Sequence, residues 1–295
     1  MLKRNPIVLL GGPDSGKTNY VARIWESLRS GQGTLASPQM PVDIKYVESA
    51  LEHLLRGQFS PRSDTNYLDS DQRLTVPVVL RDERDGEMFE LVVPDVSGEL
   101  WKAAVETCEL PQQRMNDLQA AIGALLMVRV GSEQNIAPLD WVTATQFLRL
   151  HGSDGDNSPE RQIPTQVALC ELLRFLDHAL LRPESGEKRR VAIVVTAWDR
   201  LDAYRASKGP VRYLEEEYPL FAGRLADISS LEVKVFGVSV VGGDFVDQGF
   251  KEQFLQRQDL QGAGYVVESE AGGIARSNDL TRPIAWVVDR VRASR

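Results

Sequence analysis

The residues Gly11 to Thr18, GGPDSGKT, put a lysine and a hydroxyl at the end of a glycine-rich stretch, directly after the apolar run Pro6–Leu10. This pattern suits a phosphate chain. Glycines let the backbone curl until its N–H groups face an anion. Lys17 supplies a point charge for the β- and γ-phosphates, and the Thr18 hydroxyl is a hard oxygen ligand for magnesium. A helix expected to start near Lys17 adds its positive dipole end. The candidate contacts are Gly11, Gly12, Pro13, Asp14, Ser15, Gly16, Lys17, Thr18 and the adjacent Asn19.

Three later stretches carry polar groups at the ends of apolar runs. LVVPDVSGE (Leu91–Glu99) ends a strand pattern in Asp95 and continues to Gly98 and Glu99. Asp95 is a candidate magnesium ligand. VAIVVTAWD ends in Thr196, Ala197, Trp198 and Asp199, and FGVSVVG carries Ser239 and Val240. The polar stretch FSPRSDTNY holds Arg62 and Thr65, whereas Thr75 sits in an alternating strand pattern and reads as structural.

In this order, at strand ends, the elements resemble those of a P-loop GTPase of the translation-factor and Ras-like class, from Ile7 to about Val241. With PDVSGE, TAWD and the C-terminal RPIAWVVDR, the chain is also similar to the bacterial double-GTPase family, whose members are tied to multi-gene conflict systems. The resemblance implies a function: a molecular switch that hydrolyses GTP to GDP with magnesium and signals to a protein partner or a second GTPase. It also implies roles. The Gly98 N–H senses the γ-phosphate. Asp199 accepts two hydrogen bonds from guanine, and the backbone at Ser239 and Val240 meets the guanine oxygen. Thr65 closes on the metal, and Glu99 either orients the attacking water or caps the next helix. Arg62, three residues before Thr65, is either an arginine facing the transferred phosphate in cis or an ordinary solvated side chain. Asp14 stands where one GTPase subset has an asparagine that helps bind potassium; it serves such an ion or simply stabilises the turn. One departure is clear. Ala197 replaces the lysine that covers the base, and Trp198 is either a stacking substitute or a core residue.

Positioning these groups requires strands that end together. Six apolar runs read as strands, alternating with helical patterns such as Lys17–Ser30, where Tyr20, Ile24, Leu28, Val21 and Trp25 mark one face. The expected fold is α/β: a P-loop NTPase of the Ras-like G-domain type, with a mostly parallel six-stranded sheet and helices on both faces. A single G domain over 1–295 is expected, with insertions at about 31–70, 131–164 and 242–279. His151–Pro164 reads as a polar loop.

Composition narrows the alternatives. A net charge of −8 gives no support for nucleic-acid binding. Two cysteines exclude a disulfide framework, and no apolar run is long enough to span a bilayer. The N-terminal apolar run is too short for a signal peptide, so a cytoplasmic setting is expected. Two other readings stay open: a pseudo-GTPase scaffold with little turnover, and an ATP-using P-loop enzyme.

Overall fold

The structure is a computed structural model that describes residues 5–31, 33–39, 44–61, 74–80, 88–94, 98–138, 163–180, 186–257, 259–260 and 262–293. Strands β1 (Asn5–Leu10), β2 (Leu35–Ala36), β3 (Leu74–Leu80), β4 (Phe89–Val93), β5 (Gly123–Arg129), β6 (Arg189–Thr196), β7 (Leu231–Ser239), β8 (Tyr265–Glu270) and β9 (Gly273–Ser277) form one sheet. Its spatial order is β2-β3-β4-β1-β5-β6-β7-β8-β9. The five central strands, β4 to β7 in that order, run parallel. The outer pairings on both sides are antiparallel.

The sheet therefore has nine strands and is mixed, where six and mostly parallel were expected. The additions fall in segments set aside as insertions. β2 is only two residues long. β8 and β9 form a hairpin whose outer strand, GIARS, has no buried residue, so it lacks the apolar run that marks a central strand.

Alternation along the strands divides the core between two faces. Val8, Leu10, Leu126 and Val128 face one side, against Trp101 of α3 (Glu99–Thr107), with α4 (Gln112–Ala120) and with Leu172 and Leu176 of α5 (Thr165–Ala179). Ile7, Leu9, Leu125 and Met127 face the other. There they meet Tyr20, Ile24 and Leu28 of α1 (Lys17–Ser30), whose bounds and buried face match the sequence reading. Each such side chain contributes about 1.5–3 kcal/mol by leaving water.

Segment 31–70 holds a helix the sequence reading passed over, α2 (Ile44–Leu55). Its Ala50, Leu51 and Leu54 pack with Phe245, Phe254 and Leu260 in a third cluster. Buried Arg23 of α1 ties this cluster down by donating to the carbonyls of Leu260 and Ala263.

Past β6 the chain folds as α6 (Ala203–Ser207), α7 (Gly209–Glu217) and α8 (Pro219–Asp227). Pro219 opens α8, because a proline in the first turn gives up no needed N–H. α9 (Gln248–Leu255) and α10 (Arg282–Ala293) complete the order. Register brings Arg129, Thr196 and Val238 level at one edge of the sheet, beside the loop that leaves β1.

Candidate functional site

The loop between β1 and α1 is held in shape by contacts that permit little else. Gly16 has φ +87°, and a Cβ there would lie 2.9 Å from the Thr196 hydroxyl. That hydroxyl donates to the Ser15 carbonyl at 2.8 Å, which binds the end of β6 to the loop. Lys17 is buried, and its Nζ donates to the carbonyls of Gly11 (2.6 Å) and Gly12 (2.9 Å). The ammonium thus sits inside the curl of the loop. Gly98 closes the outer side. Its φ is +90°, and a Cβ would fall 2.5 Å from Pro13 N and 2.7 Å from the Gly12 carbonyl oxygen. Only glycine fits so close a backbone approach.

Asp14 adopts φ +60°, in the left-handed region. Its carboxylate is ion-paired with Arg129 and accepts a hydrogen bond from Ser132 Oγ at 2.8 Å. The Thr18 hydroxyl pairs with the Tyr46 hydroxyl of α2 at 2.9 Å. Asn19 Oδ1 accepts from the Ser60 N–H at 2.9 Å, which draws residues 59–61 to the site.

At the other end, Ala197 also adopts a left-handed conformation, φ 54°, and starts a short 3-10 turn over Trp198–Arg200. Burial pushes the Asp199 carboxyl above the usual aspartate range. A hydrogen bond from Ser239 works the other way by favouring the charged form. Ser239 is itself fully buried and accepts from the Gly242 N–H at 2.9 Å. It therefore orients Asp199 by its side chain, besides the backbone contact expected of it. Arg200 reaches over to Asp244 at 3.5 Å.

A cavity of about 520 Å³ runs between these ends, from Lys17 and Thr18 to Asp199 and Val240. That volume lies within the range of small-molecule sites. A larger hollow of about 770 Å³ lies behind the loop under Trp101 and Leu169. It has neither Lys17 nor Asp199 on its wall, so the smaller cavity is the one equipped for chemistry.

Residues 8–287 match the model of a protein family described as Double-GTPase 1. The chain belongs to the Double-GTPase 1 family. It is thus a P-loop protein of the GTP-binding class. No curated protein matches it. Among solved structures it is similar to a signal recognition particle receptor SRb-GTP/SRX complex from Chaetomium thermophilum, at 12% identity and a TM-score of 0.37, over 85% of this chain and 97% of that one. The S. cerevisiae Ski7 GTPase-like domain, bound to GTP, gives 12% and 0.42, over 92% and 58%. Sup35 complexed with GDP gives 13% and 0.33, over 83% and 39%. This chain spans less than two thirds of the last two.

In this Double-GTPase 1 chain several expected residues have other surroundings than their motifs suggested. Trp198 is 1% exposed, stands edge-on to Tyr213 at 5.7 Å, and fills the space left by Gly237. It is a core residue and has no face left for a base, which corrects the stacking option. Thr196 serves the loop through its hydroxyl. Thr75 lies in β3 opposite Val92. Glu99 opens α3, where an acid suits the positive end of the helix, and it also borders the cavity. Arg62, Thr65 and Asp95 lie outside the described residues, as does most of His151–Pro164. Tyr46, Arg129, Arg200 and Asp244 were not anticipated: Tyr46 and Arg129 reach the site from distant parts of the chain, and Arg200 and Asp244, near expected residues, belong to no motif. Among the described residues no helix is long and apolar enough to cross a membrane.

Proposed function

We propose that this chain is a guanine-nucleotide switch, a single G domain over 1–295 that hydrolyses GTP to GDP and phosphate with magnesium and presents its nucleotide state to a protein partner or a second GTPase. The observation that carries the reading is the cavity itself. It joins a buried lysine, cradled by loop carbonyls, to a carboxylate at the far end. A cytoplasmic setting rests on the sequence reading, and a place in a bacterial conflict system rests on the resemblance alone.

Phosphate oxygens replace the Gly11 and Gly12 carbonyls as partners of Lys17, and the loop N–H groups add neutral donors. Guanine presents N1–H and the N2 amine to Asp199, two donors that adenine lacks there. A hard cation suits the Thr18 hydroxyl, which already faces a second oxygen on Tyr46. Thr65 and Asp95 complete that oxygen set in this reading. Magnesium, when bound, supplies charge neutralisation at the β- and γ-phosphates. Water adds to the γ-phosphorus and gives up a proton that ends on the released phosphate or in solvent, while the bond to the bridging oxygen breaks and leaves its electron pair on the β-phosphate of GDP. Lys17 offsets part of that charge, the Gly98 N–H binds a γ-oxygen, and Glu99 orients the water. Arg62 faces the transferred phosphate. Potassium has less to recommend it, since the Asp14 carboxylate already serves Arg129 and Ser132.

The test is phosphate release from GTP by the purified protein with magnesium, against Lys17→Ala. Release above buffer that disappears in the variant is the expected result. Tight GTP binding with no release leaves the scaffold reading instead.

A further inference from the structure

Arg129 is the last residue of β5, and its backbone is fixed on both sides. It pairs in register with Thr196, and its carbonyl accepts a hydrogen bond from the Tyr218 hydroxyl at 3.5 Å. Its side chain is 28% exposed and stands between the two cavities, on the wall of the one that holds Lys17 and Asp199 and on that of the larger hollow. One guanidinium nitrogen, Nη1, holds the Asp14 carboxylate and lies 3.5 Å from the Asp14 carbonyl. Among the described residues, Nε and Nη2 have no hydrogen-bond partner.

An arginine–carboxylate pair gains most when both arms of the fork meet the carboxylate. Here a single nitrogen is committed, and the remaining donors stand free beside a loop shaped for phosphates. Lys17 approaches that loop from the inside, at the Gly11 and Gly12 carbonyls. Arg129 approaches at Asp14, from the neighbouring strand.

We propose that Arg129 is a further phosphate-facing cation besides Lys17 and Arg62, held ready by Asp14, that bridges this carboxylate and the phosphate chain of the bound nucleotide. The proposal rests on the nucleotide reading above. In hydrolysis the charge of the transferred γ-phosphoryl spreads over its outer oxygens as its bond to the bridging oxygen breaks and the bond to water forms, while the electron pair of the broken bond stays on the β-phosphate. A guanidinium that donates to a γ-oxygen stabilises that charge, with no movement needed if Asp14 already aims it, and it loses this partner once phosphate has left and GDP remains. Asp14 fits this role better than a neutral residue. It keeps the guanidinium at the loop in the absence of phosphate, and the guanidinium in turn screens the phosphate from the carboxylate.

The experiment compares wild type, Arg129→Gln, Arg129→Lys and Asp14→Asn. Affinities are measured for a non-hydrolysable GTP analogue and for GDP, together with single-turnover hydrolysis and the unfolding temperature. Arg129→Gln is expected to lower the triphosphate-to-diphosphate affinity ratio about tenfold and the hydrolysis rate by on the order of 10²–10³. GDP affinity should stay within about threefold and the unfolding temperature should hold. Arg129→Lys recovers part of the ratio but not the rate, because a point charge lacks the fork. Asp14→Asn keeps GTP affinity and loses about tenfold in rate, since the guanidinium loses its aim. A fall of GTP and GDP affinity by one common factor in Arg129→Gln overturns the proposal and leaves Arg129 a clamp on the loop, as does an unchanged ratio and rate. If wild type takes ATP in preference to GTP, the guanine reading falls, and the same ratio read with the ATP analogue and ADP decides on Arg129. If wild type binds neither triphosphate, both proposals fall.

Discussion

In the proposed reading, backbone shapes the phosphate end of the cavity and side chains shape the base end. Gly16 and Gly98 are glycines because a Cβ would strike Thr196 or the Gly12–Pro13 backbone, and Lys17 is buried against loop carbonyls. The base end rests on Asp199, aimed by Ser239, under a rim formed by Arg200 and Asp244. No lysine stem covers it, since residue 197 is alanine in a left-handed turn and Trp198 has gone into the core. Backbone recognition tolerates few residue types, so the phosphate end keeps its full sequence pattern. A side-chain contact has several solutions, so the base end departs from the pattern while keeping its carboxylate.

The contrast predicts a graded set of losses. Lys17→Ala should be the largest, with GTP and GDP binding reduced by on the order of 10²-fold or more, as expected when a buried charged partner of an anion is removed. Titration with fluorescent nucleotides reads this, and near-normal binding would break the claim that the loop dominates affinity. Asp199→Asn should cost GTP about tenfold, within the usual range for a hydrogen bond to a charged group. Xanthosine triphosphate should lose less or gain, because the amide N–H₂ faces a carbonyl where guanine has an amine. Equal losses for both bases would remove Asp199 from base reading. Acid acts on the same contact. The raised pKa of Asp199 means a proton competes with guanine from above the ordinary aspartate range, so GTP affinity falls on acidification sooner than a solvent-exposed carboxylate would dictate. Asp199→Asn should flatten that part of the profile. The smallest effect concerns monovalent ions. With Arg129 on Asp14, turnover in potassium and sodium chloride at equal ionic strength should be the same. Faster turnover in potassium would mean that the ion displaces the guanidinium.

Much of this was legible in the sequence, for physical reasons. The loop and α1 were readable because glycines at forced backbone angles and a 3.6-residue apolar period leave direct marks. α2 left such a mark as well, since Val47, Ala50, Leu51 and Leu54 are spaced for one helix face, but the segment was set aside as an insertion. β9 left none, being exposed and only five residues long. The partners of the loop were not readable, because nothing local ties Arg129 to Asp14 or Tyr46 to Thr18. Such contacts depend on which strands and helices become neighbours. Trp198 shows the same limit from the other side. Its spacing allowed a base contact, and the room made by Gly237 on the adjacent strand draws it inward instead.

The most direct test of the central claim is a titration of nucleotide-free protein, in magnesium, with fluorescent GTP and ATP analogues side by side. Asp199 should make the GTP analogue bind at least about tenfold more tightly than the ATP analogue. Equal or tighter binding of the ATP analogue would contradict the assignment of this cavity to guanine nucleotide.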